Sequence, residues 1–201
     1  METKEKILEV AFQLFMKYGI KSVSMDDIAS DLGMSKKTIY QYIENKDDLV
    51  KQVITKHLED DERDISAIVE QSENAVDEMI QISRHVLYFI RMMKPSLIYD
   101  LKKYHRNSWQ IIDEKHFKHT LGIIKNNLER GIKEGLYRKE INPHIIATFY
   151  AKVTEIAVDE TVFPIREYRH QDLFISHVNY HMYGIVNEKG KSIFKEIKLN
   201  Q

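Results

Sequence analysis

Lys36, Lys37, Thr38, Tyr40, Gln41 and Tyr42 fall within seven residues, and the two lysines are the only charged residues between Asp31 and Glu44. Ammonium groups suit phosphate oxygens, while a threonine, a glutamine and two phenols offer hydrogen bonds and apolar edges to bases and thymine methyls. The same residues also fit a plainer description, a solvated charged face with two tyrosines half-buried in a small helical core.

Nine histidines offer a second chemistry. His177 and His181 stand four apart and His116 and His119 three apart, so each pair shares a helix face. Glu167-x-x-His170 and Asp113-x-x-His116 imitate half of a carboxylate di-iron site. That site also needs a Glu from each of two further helices, and none stands on an apolar stripe. Glu167 and His170 moreover follow Pro164, where an interhelical loop is expected. We therefore expect no metal. With no cysteine, no glycine-rich phosphate loop and no nucleophile-elbow or zinc-protease motif, no catalytic residue and no cofactor are expected either.

The elements that would hold the lysine–tyrosine cluster are legible from caps and periodicity. From Thr3 to Tyr18, Ile7, Val10, Ala11, Leu14 and Phe15 recur at helical steps, and Gly19 stands where a helix would end. Ser24 followed by Asp27 reads as a capping box, with Val23 and Ile28 at staple spacing. Ile28, Ala29 and Leu32 give a helix of about two turns, stopped at Gly33. Met34 and Ile39 repeat the staple around Ser35, starting a second short helix that is expected to run through Tyr42 with Ile39 as its apolar anchor. Two short helices joined by a glycine-containing turn form the helix-turn-helix pattern. Asn45 then caps a longer helix with Asp47 and Asp48 in its first turn and Leu49, Val50, Val53, Ile54 and Leu58 as its buried stripe.

Composition agrees with helices. The chain has 201 residues, 43% hydrophobic and 30% charged, enough for one ordinary domain and a smaller second one. Seven Gly and three Pro leave little punctuation for an all-β fold. The net charge of −1 argues against indiscriminate polyanion binding. Residues 1–56 hold nine lysines and nine acids, so the lysine pair is distinguished by arrangement and not by bulk charge. No apolar h-region and no run of about 18 apolar residues is present, so a cytoplasmic protein without membrane spans is expected.

The run Tyr18-Gly19-Ile20 … Ser24-Met25-Asp26-Asp27-Ile28-Ala29 … Leu32-Gly33-Met34-Ser35-Lys36-Lys37-Thr38-Ile39-Tyr40-Gln41-Tyr42-Ile43 … Asn45-Lys46-Asp47-Asp48-Leu49 closely resembles the N-terminal domain of tetracycline-repressor-like (TetR family) transcriptional regulators. The resemblance implies that Lys37, Thr38 and Tyr40 meet bases and thymine methyls. Ser24, Tyr42 and Lys46 would clamp phosphates, and Lys36 and Gln41 complete the DNA-binding set. In some members the position of Asp26 carries a base-reading arginine. An acid cannot do that work, which leaves the role of Asp26 open, with helix-start electrostatics the simplest reading.

Beyond residue 57 no linker intervenes, so the helix from Lys46 is expected to enter the second domain directly. Apolar stripes follow through Ile65, Ile68 and Val69, then Met79, Ile82, Val86 and Ile90. A short helix carries Leu97, Ile98 and Leu101, and a longer one runs through Trp109, Ile112, Phe117, Leu121, Ile124, Leu128 and Ile132 to stop near Gly131 and Gly135. Asn142-Pro143 caps a helix over about 143–162, and a last one spans about 171–187. The resemblance implies an all-α fold of about nine helices: a three-helix DNA-binding helix-turn-helix domain at 1–48 and a larger helical-bundle effector-binding and dimerisation domain at 49–201. It implies a homodimer through the two C-terminal long helices, with Phe149, Val153, Ile156, Phe174 and Val178 at the interface. A small-molecule effector, not identified by the sequence, would meet His85, Tyr88, Tyr99, His105 and Trp109 and release a repressor from double-stranded operator DNA. The alternatives are an all-α helical-bundle enzyme, metal-dependent or not, and a protein-interaction module.

Overall fold

The computed structural model describes residues 2–195, apart from the side chain at position 112. Met1 and residues 196–201, the outer ends of the two expected domains, lie outside the described residues. Ten helices are formed among the described residues: α1 (Thr3–Tyr18), α2 (Met25–Leu32), α3 (Lys36–Ile39), α4 (Lys46–Gln71), α5 (Ala75–Met92), α6 (Ser96–Tyr104), α7 (Arg106–Lys133), α8 (Pro143–Ala157), α9 (His170–Ile185) and α10 (Glu188–Ile193). Among the described residues the one β feature is an isolated antiparallel bridge between Tyr137 and Val186. The fold is therefore all-α, and α10 is an element the periodicity did not signal.

Caps explain most boundaries. Ser24 and Asp27 form the expected box at the start of α2, and Gly33 ends that helix in the left-handed conformation, φ 61°. The Asn45 carboxamide accepts from the Asp48 N–H at 3.0 Å, and that of Asn142 from the N–H groups of His144 and Ile145. Two helices are shorter than their patterns. α3 ends at Ile39 because Gln41 and Tyr42 bond the carbonyls three residues back, at 3.2 and 2.9 Å, tightening the chain into turns. α8 ends at Ala157, and Asp159 then accepts from both the N–H and hydroxyl of Thr161, a side-chain turn that competes with helix. Conversely, α7 runs past Gly131. A Cβ there would lie 2.1 Å from the Tyr137 ring, so that glycine permits close approach, and Gly135, φ 69°, makes the turn.

Packing divides the chain into two compact units, and each is discontinuous in sequence. The first comprises residues 1–61 and 92–115, the second 62–91 and 116–201. The expected functional boundary at 48/49 falls inside the first unit, near the start of α4.

In the first unit Ile7, Ala11, Phe15, Ile28, Ile39, Ile43, Leu49 and Val50 form the buried centre, joined by Leu101 from α6, with Leu97 and Trp109 packed against it. Polar contacts bind α6 to the helix-turn-helix. The Lys94 N–H donates to Met16 O at 2.8 Å and its ammonium to Tyr18 O at 3.0 Å. The buried Asp100 carboxylate accepts from the Lys21 N–H at 2.9 Å.

The second unit has its own core, including Met79, Leu87, Leu128, Tyr137, Phe174, Val178 and Met182. It also buries a polar network. Glu78 takes Arg130 at 2.6 Å and the Asn127 amide at 3.0 Å. Tyr137 Oη lies 2.9 Å from both Ala75 O and Asn127 Oδ1, and Glu134 accepts from the Ala75 N–H. Burial raises the Tyr137 phenol pKa well above its ordinary value, so it stays a neutral donor.

Candidate nucleic-acid interface

The second helix of the helix-turn-helix, α3, is short and held by a single deep anchor. Ile39 is fully buried, and Ile43 beyond the turn is nearly so, which fixes α3 in rotation. Ser35 caps α3, accepting from the Thr38 N–H, and its hydroxyl lies 2.8 Å from the Thr38 hydroxyl. With Ile39 facing inward, Lys36, Lys37, Tyr40, Gln41 and Tyr42 are left exposed, and Thr38 is half-buried. The six side chains of the expected cluster are thus brought together on one outward stretch. Tyr40 and Tyr42 are 45% and 41% exposed, so neither is the half-buried core tyrosine of the plainer reading.

The remaining expected DNA contacts are already bonded within the domain. The Ser24 hydroxyl donates to Asp27 at 2.7 Å and accepts from the Asp27 N–H. Donation from the Ser24 hydroxyl, and next from the Ser24 N–H, holds the Asp27 carboxyl below its ordinary pKa. Lys46, the first residue of α4, turns its ammonium onto the carbonyls of Ile20 and Val23. Partial burial lowers its pKa, opposed by Asp100, Asp27 and Asp47. Lys36 pairs with Asp26 at 2.9 Å, so Asp26 does more than complement the α2 dipole.

The five residues expected around an effector do not form one set within either unit. His85 and Tyr88 belong to the second, where each ring packs edge-on against Phe89. Tyr99, His105 and Trp109 belong to the first. There Lys103 donates to the Tyr99 hydroxyl at 2.6 Å, and Lys102 lies over the Trp109 ring. His105 Nδ1 lies 2.8 Å from Asp47 Oδ1 at the start of α4, close in distance though not aligned as a hydrogen bond. His105 and Asp100 thus link α6 to the helix-turn-helix. Sequence reasoning missed these roles, because neither residue falls in a motif and only the chain's return at α6 brings them there.

Of the expected dimer residues, Phe149, Val153 and Ile156 are exposed on α8, together with Ile145. Phe174 and Val178 differ: they are buried in the core of the second unit. The α9 residues left outward are instead Tyr180 and Tyr183, because helical rotation puts them away from the Phe174–Val178 stripe. His177 and His181 pack against Tyr150, one tilted and one edge-on, with ring centroids 4.2 and 4.7 Å apart. Burial pushes their pKa values down to about 4 and about 3. Among the described residues, no group of three or more His, Cys, Asp or Glu is placed to hold a metal ion. No helix among them is long and apolar enough to cross a membrane.

Comparison with known proteins agrees with this geometry. Residues 7–53 match the family model described as bacterial regulatory proteins, tetR family. The uncharacterized HTH-type transcriptional regulator YvaF of Bacillus subtilis (strain 168) is 30% identical over 149 residues, covering 73% of this chain and 76% of the relative. A TetR-family transcriptional regulator from Agrobacterium tumefaciens superposes with a TM-score of 0.72 at 17% identity, covering 92% of this chain and 97% of the other. A putative transcriptional regulator from Saccharomonospora viridis, solved in complex with choline, gives 0.68 at 17% identity over 92% and 98%. The chain belongs to the tetR family of bacterial regulatory proteins and is a helix-turn-helix DNA-binding transcriptional regulator.

Proposed function

We propose that the protein is a cytoplasmic repressor that binds a near-palindromic operator as a homodimer and leaves it when a small molecule binds. It performs no catalysis in this reading. The observation that carries it is the outward cluster on and after α3, set by the buried Ile39. Lys37, Thr38 and Tyr40 read base edges from the major groove, assisted by Lys36 and Gln41. Ser24, Tyr42 and Lys46 hold the phosphates on either side. Ser24 and Lys46 must exchange their internal hydrogen bonds for phosphate oxygens, which costs little where the groups are partly exposed.

The dimer is supported by the exposed apolar stripe Ile145, Phe149, Val153 and Ile156 on α8, with the exposed Tyr180 and Tyr183 on α9. Phe149 and Tyr180, 63% and 83% exposed, are large side chains to leave in water. Induction is supported by the continuity of α4 from Lys46 to Gln71, which joins the phosphate-holding end to the second unit's sequence. An effector works only by binding the DNA-incompetent state more tightly.

The test is selection from a random duplex library, followed by measurement of the bound mass. The expected product is an inverted repeat holding two copies, with half-sites near one helical turn, about 34–36 Å, or a multiple of it. Recovery of single asymmetric half-sites bound by monomer would reject the dimer, and recovery of no sequence preference would reject the base-reading role.

A further inference from the structure

Two carboxylates stand in the first turn of α2, and they do different things. Asp27 closes the cap, accepting from the Ser24 N–H and hydroxyl, both at 2.7 Å. Asp26 takes no part in that cap. Its carboxylate crosses the turn of the helix-turn-helix to the ammonium of Lys36, the first residue of α3, at 2.9 Å. Both groups are well exposed, with side-chain exposures of 45% for Lys36 and 71% for Asp26. An exposed pair of this kind adds almost nothing to fold stability. Nor does it block any part of the core, since Ile39 alone anchors α3. The pair therefore has no structural task that requires it, yet it lies on the surface assigned above to DNA.

Its electrostatic consequence is definite. A helix N-terminus and a lysine beside it would together attract any passing phosphate. Here the lysine is neutralised and a negative charge is added at the same place. A carboxylate within a Debye length of a phosphate repels it, by an amount that shrinks as salt rises. Non-specific binding depends almost wholly on phosphate neutralisation, whereas specific binding also draws on base contacts. On the operator Lys36 assists base reading and the exchange is repaid, whereas random sequence offers it only a phosphate, so the Asp26–Lys36 pair weakens random binding more than operator binding.

We propose that Asp26 is a specificity-determining residue: it competes with DNA phosphate for Lys36 and so suppresses binding to random sequence. This rests on the reading of the α2–α4 surface as the DNA interface. In the free protein Lys36 stays with Asp26. On random duplex the exchange of a carboxylate for a phosphate gains nothing, so the lysine contributes no net counterion release. The base-reading side chains Lys37, Thr38 and Tyr40 then decide where the protein remains.

The experiment measures binding of the full chain to random duplex and to its selected operator across a salt series, for wild type, Asp26→Asn, Asp26→Ser, Lys36→Ala and Asp26→Asn/Lys36→Ala. Asp26→Asn and Asp26→Ser should tighten binding to random duplex about 3–10-fold at low salt. They should steepen its log–log salt slope by about 0.9, the yield of one freed lysine. The operator-to-random ratio should fall. Lys36→Ala alone should not steepen the slope on random duplex, and in the Asp26→Asn background it should abolish the added 0.9. Circular dichroism establishes that each variant is folded, and using two replacements guards against loss of one helix start.

Unchanged or weaker random-duplex binding by both Asp26 variants overturns the proposal. So does an altered preference at one base pair with an unaltered salt slope, which would make Asp26 a base reader. A wild-type chain that binds no duplex even at low salt removes the DNA interface itself, and this inference with it. Wild-type binding with unresponsive Asp26 variants removes the inference alone.

Discussion

The helix-turn-helix surface of the first unit and the interior of the second use charged and polar side chains in opposite ways. In the second, Glu78, Asn127, Arg130, Glu134 and Tyr137 close on one another and on the backbone of residues 72 and 75, with Glu78 and Asn127 buried. In the first, Ser24, Asp26, Asp27 and Lys36 bond one another at the surface. A buried polar group that loses its partner retains the full cost of its desolvation, so the first kind of network is committed to the fold. An exposed group exchanges its partner for water or for a ligand at little cost, so the second kind is free to serve recognition. Hydrogen-bond geometry is similar in both places. Burial separates structural contacts from functional ones.

The largest expected effect contrasts the two apolar faces of the second unit. Val178→Asp should remove most of the stability, about 4 kcal/mol or more, because an unpaired charge replaces a fully buried side chain. Phe149→Asp, on the open face of α8, should leave the chain folded and abolish the proposed dimer. Circular dichroism beside light scattering distinguishes them. A folded Val178→Asp variant would show that α9 packs differently, and a dimeric Phe149→Asp variant would move the interface off α8.

Next comes the contrast in cations. Arg130→Ala strips the buried Glu78 of its ion pair and should cost about 3 kcal/mol in chemical denaturation. Lys36→Ala should change stability by less than about 0.5 kcal/mol. Equal losses would erase the distinction between committed and exchangeable networks.

Smaller, and specific to the second unit, is acid sensitivity. Burial lowers the pKa of His177 to about 4 and of His181 to about 3, below the ordinary 6.5. The unfolded chain therefore binds more protons than the folded one in the interval between. Stability from these groups is complete above about pH 6.5 and is lost as pH falls from there toward 4, by up to about 1.4 kcal/mol per pH unit for each imidazole. His181→Leu should flatten that part of the stability–pH profile relative to wild type. An unchanged profile would mean that His181 is not held neutral by burial.

Much of the first unit could be read from the chain because its signals are local. A cap and its partner lie three residues apart, as Ser24 and Asp27 or Asn45 and Asp48 do, so the sequence contains both halves of the interaction. Exposure of Lys37, Tyr40 and Tyr42 follows from one anchor, Ile39, at a known helical angle. The tight turns over Gln41 and Tyr42 were less legible, since three residues are too few for a repeat of 3.0 to differ visibly from one of 3.6. The approach of His105 to Asp47 was not legible, since it is made across more than fifty residues of chain.

The sequence by itself determined that the chain is helical, where most of its helices begin, and that it carries a helix-turn-helix with a lysine–tyrosine face. Those properties depend on backbone hydrogen bonds and side chains within one or two turns. Tertiary structure decided that α6 belongs with the helix-turn-helix, that Phe174 and Val178 turn inward while Phe149 and Tyr180 remain outside, and that Asp26 reaches Lys36. Periodicity shows that a helix has an apolar stripe, but which neighbour covers it depends on packing between segments distant in the chain. α9 has apolar and aromatic residues on more than one side, and only the competition for space in the core selects which of them is buried.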